Sequence, residues 1–405
     1  MDEPKLKKLH WVSDSPLQST GYSTISRNIL NGLSPYYDCS YTAHNLITNK
    51  IRKNDITLND GLQFKFDLYG GGKEPQARDI IEARMRKIRP DYMGFLMDTF
   101  HAYPWVMSKN FSPAKSFFYF PSDGGGGLPH GCENVLKHFN HCVAMARFGQ
   151  RQVKKVHDII SDYIPHAVDK DLFKPVNETT KEDLRRNMIV KSVHGALIKG
   201  FLVDKFVVGV VARNQGRKML DQTIKAFKLF SEVAEDAVLY FHTDPNDQAQ
   251  AFDMVHLIQR HDLQNRVVFS PMKYYDNFDY RDMPGVYQVM DVFFLSTSGE
   301  GFGVPIIEAM GCGVPCVVTD YSTTHELLVE DGRCGIPVRF AAELTGNWTV
   351  ERAIMDKVAG FEALVSLYNS SVTCERYGRV GRGKVESLYN WKVVIEQWRD
   401  FLQKI

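Results

Sequence analysis

Short apolar, β-branched and aromatic runs recur along the chain, with helix-like stretches between them. In the first half they occupy residues 9–13, 39–44, 63–68, 92–96, 116–120, 141–146 and 163–165. In the second half they occupy 206–212, 238–242, 267–269, 292–295, 316–319 and 336–338. Runs this uniformly apolar suit strands covered on both faces, as in parallel sheets. Between them, apolar residues return at three- and four-residue spacing. Leu220, Ile224, Phe227 and Phe230 make one such stripe, the mark of a helix with one buried face. Strand–helix alternation of this kind predicts an α/β protein. It is interrupted once, over residues 167–204, where a polar stretch and a short basic helix read as an interdomain connection. The chain closes on an amphipathic helix carrying Trp391, Val394, Ile395, Trp398 and Phe401.

A length of 405 residues exceeds what one core usually organises, so two domains are expected. The net charge of +1 gives no global attraction to nucleic acid or anionic lipid. No apolar run approaches the length needed to span a bilayer, and the N-terminus lacks an apolar signal core. The seven cysteines are scattered, and Cys312 and Cys316 have no matching second pair, so a zinc site is not expected. Reduced thiols in a cytoplasmic protein are the simpler reading. The sequons at Asn110, Asn177, Asn347 and Asn369 then carry no meaning.

The unusual residues collect where strands run into helices, which is where open parallel sheets bind ligands. Arg213 to Lys218 follow one strand, Ser270, Met272 and Lys273 another, and residues 296–303 a third. In the segment Glu300-Gly-Phe-Gly-Val-Pro-Ile-Ile-Glu308, Pro305 fits the first turn of a helix. Gly301 and Gly303 let backbone amides face a ligand at that helix start, a natural anion site. Glu300 and Glu308 are poorly placed for the same anion and suit hydroxyl groups. Arg213 and Lys218 supply cations for a diphosphate, whereas Arg217 reads as solvated. Asp169-Lys170-Asp171 has a metal-binding spacing but falls in the interdomain stretch, so no metal role is expected of it.

The Glu300-x7-Glu308 segment resembles the motif of retaining GT-B glycosyltransferases, family 4 in particular. Arg213 and Lys218 resemble that family's donor-phosphate pair, residues 164–175 its linker entry, and Tyr389-Asn-Trp391-Lys its closing signature. The resemblance implies two Rossmann-like domains facing a central cleft. An acceptor domain would span 1–185, with 386–405 crossing back onto it, and a donor domain 186–385. It implies transfer of a hexose-type sugar from a UDP- or GDP-linked donor to a glycan, lipid or metabolite, with retention and with neither cofactor nor metal. Glu300, Arg213 and Lys218 would be catalytic. Glu308 would hold ribose hydroxyls, amides of Gly301, Phe302, Gly303 and Val304 the sugar and phosphate, and the 270–273 loop the base. Where the family commonly has a histidine, this chain has Asp123, a substitute candidate or merely a turn former. His101 and His130 are acceptor-side candidates, and Gly21 would let the first helix approach the diphosphate. Three other readings stay open: an acceptor base in nucleic acid, an epimerase or phosphorylase on the same fold, and a non-catalytic nucleotide-sugar-binding protein.

Overall fold

A computed structural model describes residues 6–18, 20–46, 50–53, 55, 57–58, 62–77, 79–107, 115–247, 250–272 and 278–405. Among these, the chain divides into two compact units. The first holds residues up to 122, then 126–167 and 391–405; the second holds 123–125 and 168–390.

The first unit is built on a seven-stranded sheet. Its strands are β1 (Lys8–Ser13), β2 (Asp38–Ala43), β3 (Asp67–Gly70), β4 (Tyr92–Leu96), β5 (Ser116–Phe120), β6 (His141–Ala144) and β7 (Asp162–Tyr163). They run parallel in the order β3-β2-β1-β4-β5-β6-β7. The order reverses between β1 and β4, which makes that pair the switch point of the sheet. Every residue of β4 and β5 is buried, as expected for strands covered on both faces. The helix Gly21–Leu33 follows β1, with the Thr20 side chain accepting from the Ser23 amide as its cap. The apolar run at 63–68 turns strand only at its end. Phe64 and Phe66 stack on each other 4.9 Å apart, but the ladder with β2 opens at Ser40 opposite Asp67. Ring packing rather than pairing made those residues apolar.

The closing helix Trp391–Lys404 belongs to this first unit. Trp398 is fully buried, with its ring 5.7 Å from Trp11, 5.6 Å from Phe117 and 5.0 Å from Tyr119. Gly32 permits the approach: a Cβ there would lie 2.5 Å from the Ile395 side chain.

The second unit has strands β8 (Ile189–Ser192), β9 (Leu197–Lys199), β10 (Phe206–Val211), β11 (Ala237–His242), β12 (Val267–Phe269), β13 (Val292–Leu295), β14 (Cys316–Thr319) and β15 (Gly335–Val338), in the order β15-β14-β13-β10-β11-β12-β8-β9. The first six of that order are parallel, and β8 and β9 form an antiparallel hairpin on the edge. A separate ribbon pairs β16 (Phe340–Thr345) with β17 (Glu351–Met355). The sequence pattern misses both hairpins. Residues 168–185 also join this unit rather than the first. The helix Glu178–Asn187 is fixed there by Arg185, which donates to the Val289 carbonyl at 3.0 and 2.8 Å and to Asp291 at 2.6 Å. Each unit is thus a Rossmann-like α/β layer structure. Among the described residues no helix is long and apolar enough to cross a membrane.

Candidate functional site

Because β14, β13, β10, β11 and β12 are successive neighbours and parallel, the loops leaving their carboxyl ends are neighbours as well. After β10 the chain makes a tight turn over Gly216–Lys218, ended by Met219 in a left-handed conformation at φ +48°. The Ser296 hydroxyl donates to the Met219 carbonyl at 2.6 Å, and the Ser298 amide to the Arg217 carbonyl at 2.7 Å. These bonds stitch the β10 loop to the β13 loop. From the other side, the Glu300 amide donates to Ser322 at 2.9 Å, and the Thr323 hydroxyl donates to the Glu300 carbonyl at 2.9 Å.

The result is a buried ion pair. Lys218 Nζ donates to Glu300 Oε1 at 2.5 Å, and Arg217 lies 3.3 Å from Glu300 Oε2. Burial pushes the Glu300 pKa up, but the charges of Lys218 and Arg217 outweigh it and hold the carboxyl down at about 2. Burial and the nearby Arg217 push Lys218 down to about 8 against the pull of Glu300 and Asp123. Both partners of the pair are therefore charged at neutral pH. Arg217 corrects the expectation of a solvated side chain: the turn aims both of its cations at one carboxylate.

Arg213 is turned the other way. Its guanidinium grips Asp247, at 2.5 Å from Nε and 3.0 Å from Nη2. The charges that act most on Glu300 are Lys218 and Arg217. Asp123 does join the Glu300 loop. Arg352 donates to its carbonyl at 2.6 Å and to its carboxylate at 2.9 Å. A Cβ at Gly299 would come within 1.9 Å of the Asp123 carbonyl oxygen, so only glycine lets the two segments meet.

The helix Val304–Gly311 starts after Gly303, whose φ of +100° suits glycine, and Pro305 sits in its first turn. The Val304 amide, at the first position, has no acceptor within the helix. Phe302 turns its ring inward, 5.9 Å from that of Tyr389. Glu308, one turn along, accepts a hydrogen bond from the Tyr287 hydroxyl at 2.6 Å. Burial raises its pKa to about 7. A carboxyl with a raised folded pKa stabilises the fold while protonated, and that contribution is lost as pH climbs from about 4.5 to about 7. Glu308→Gln should remove this dependence. Measured by urea denaturation, its stability relative to wild type should rise by on the order of 2 kcal/mol between pH 5 and pH 8. A constant difference across that range contradicts the buried, raised carboxyl.

Ser270 is held by the Tyr240 hydroxyl at 2.7 Å and by His242 Nδ1 at 2.8 Å, and Met272 is half-buried. Lys273 and Ser19 lie outside the described residues. Asp169 accepts from the amides of Asp171 and Leu172, so its carboxylate shapes a turn. Gly21, His101 and His130 belong to the first unit. Gly21 opens its helix, and a Cβ added there would touch nothing within 4 Å. His101 is half-buried and His130 exposed. Asp247, Tyr287 and Arg352 escaped the sequence reading, because only strand order reveals their neighbours.

Residues 198–380 match the family described as Glycosyl transferases group 1. Mannosylfructose-phosphate synthase of Agrobacterium fabrum is 24% identical over 239 residues, 58% of this chain and 45% of its own length. The GDP-mannose-dependent monoacylated alpha-(1-6)-phosphatidylinositol monomannoside mannosyltransferase of Corynebacterium glutamicum is 23% identical over 249 residues, 60% of this chain and 56% of its own. The chain thus spans about half the length of these curated relatives. Sucrose-phosphate synthase from Thermosynechococcus elongatus superposes with a TM-score of 0.74 at 15% identity, covering 98% of both chains. Anabaena HepE, in complex with UDP and glucose, superposes at 0.73 and 14%, covering 98% of this chain and 100% of its own. The architecture is therefore that of GT-B proteins.

Proposed function

We propose that this chain, whose residues 198–380 form a domain of group 1 of the glycosyl transferases, is a retaining glycosyltransferase. In this reading it moves a hexose-type sugar from a UDP- or GDP-linked donor to an acceptor hydroxyl. The observation that carries the proposal is the Lys218–Glu300 pair, joined by Arg217, with Glu300 in the loop that leads into the helix Val304–Gly311. A nucleoside diphosphate sugar needs this juxtaposition: cations for the departing diphosphate, and a fixed carboxylate for the sugar's hydroxyls.

Lys218 and Arg217 would neutralise charge as the sugar–phosphate bond lengthens, which is commonly the largest catalytic contribution. Arg213 would serve the same anion once released from Asp247. Glu300 would then exchange a lysine for sugar hydroxyls, and amides of Gly301, Phe302, Gly303 and Val304 would hold sugar and phosphate. Glu308 would accept from ribose hydroxyls, with Tyr287 as its existing model of such a bond. Ser270 and Met272 would border the base. Asp123 would touch donor hydroxyls or steer the acceptor. Protein cations at these positions make a metal dispensable, and HepE, whose structure holds UDP and glucose, shares the fold.

The test is a melting panel with UDP, GDP and their hexose derivatives, followed by mass-spectrometric detection of transfer with and without excess chelator. A bound nucleotide at about 100 times its dissociation constant should add roughly 2.7 kcal/mol of stability, and transfer should persist in chelator. Absence of any nucleotide shift contradicts the donor site. Loss of activity in chelator, restored by magnesium or manganese, contradicts the metal-free mechanism.

A further inference from the structure

At the switch point of the first unit's sheet a second group of polar side chains converges. Ser13 ends β1 opposite Leu96 of β4, and the next residues of both strands turn out beyond the sheet. Asp14 follows β1, His44 follows β2, and Asp98 and His101 follow β4. His44 Nε2 lies 2.8 Å from Asp14 Oδ1, and the Tyr22 hydroxyl, from the first turn of the helix Gly21–Leu33, donates to Asp98 Oδ1 at 3.1 Å. The rings of His44 and His101 are 5.5 Å apart. Burial lowers the His101 pKa, which keeps that imidazole neutral. On the same short segment, Phe100 and Tyr103 are 45% and 54% exposed, and the Phe100 ring lies 4.4 Å from that of His101.

We infer that this group is the acceptor site, and that it takes an uncharged sugar ring or polyol rather than a phosphorylated one. The inference rests on the transferase reading above and adds the acceptor class. A switch point beyond the carboxyl ends of parallel strands is where such sheets bind ligands. A sugar presents a rim of hydroxyls and an apolar face of C–H groups. Carboxylates and imidazoles serve the rim, and exposed aromatic rings serve the face. The charge excludes phosphate. Two carboxylates, Asp14 and Asp98, stand among these side chains. The guanidinium bracing this loop, Arg27, donates to the carbonyls of Pro16 and Gln18 and to Thr24. The relatives whose names include sugar phosphates would then differ from this chain in acceptor charge.

The full chain, supplied with UDP-glucose and GDP-mannose, is offered methyl glycosides of glucose, mannose and galactose, and separately glucose 6-phosphate and fructose 6-phosphate. Product is expected with a glycoside and at least about tenfold less with either phosphate, as a repelled, desolvated charge implies. In Asp98→Asn and Tyr22→Phe the acceptor KM should rise about tenfold, the usual cost of a lost charged hydrogen bond, while UDP and GDP affinities stay within about twofold. Tyr22→Phe removes one hydroxyl only, so it answers the question even where Asp98→Asn folds poorly. Preference for a sugar phosphate overturns the inference. So does donor hydrolysis without transfer to any glycoside, or an unchanged acceptor KM in Tyr22→Phe. Failure to bind nucleotide or cleave donor at all overturns the transferase reading beneath it.

Discussion

Replacing Lys218 with alanine should lower turnover at least roughly 100-fold, the scale seen when one preorganised charge contact to a transition state is lost. Lys218 is 7% exposed and its ammonium is held beside Glu300, so the cation is already in the site before charge develops on the diphosphate. Glu300→Ala should lower turnover to a similar degree by removing the group that orients the sugar. Removing one member of a buried pair ordinarily costs about 3–5 kcal/mol because the other is stranded. Here Arg217 remains beside Glu300, so Lys218→Ala should keep its circular dichroism and melt cooperatively. Steady-state kinetics on both variants, alongside those spectra, decide the matter. Wild-type rates in folded Lys218→Ala and Glu300→Ala proteins would remove the donor-site assignment.

Most parallel strands of the two sheets were legible because a parallel sheet buries both faces and writes itself as continuous apolar runs. Runs 92–96, 116–120, 267–269, 292–295 and 316–319 coincide with β4, β5, β12, β13 and β14. The β8–β9 and β16–β17 hairpins were not legible: β16 is exposed along its whole length, so no burial pattern marked it.

Within the site, proximity in sequence was a good guide for Glu300 and Lys218, whose strands carry the loops to one edge. It failed for Arg213, because the side on which a strand-end residue turns depends on what the neighbouring loop offers, and the β11 loop offers Asp247. Arg217 reads as a solvated loop residue in the sequence, yet the tight turn over Gly216–Lys218 brings it to Glu300. The link from Asp123 to Arg352 crosses 229 positions, and the group formed by Asp14, His44 and Asp98 is scattered over three strand ends. Residues brought together by strand order alone leave no local trace.

Trp398→Ala should cost about 3–5 kcal/mol, the range for emptying a large aromatic site in a core. Trp398 sits among aromatic rings. Trp11, Phe117, Tyr119 and Phe401 all present rings within 5.8 Å of it. None of them can fill the void, since Trp11, Phe117 and Tyr119 are themselves buried in the sheet. Trp398→Phe provides the contrast. The indole Nε1 is buried and has no hydrogen-bond partner among the described residues, a situation that costs about 1–3 kcal/mol in the native protein. A phenyl ring keeps part of the edge-to-face packing and removes the stranded donor, so its net loss should be well below that of alanine. Urea denaturation of both variants, followed by near-ultraviolet circular dichroism and by hydrogen exchange of the β1 and β5 amides, separates the two effects. An alanine variant within about 1 kcal/mol of wild type would mean that the closing helix is not anchored through this residue.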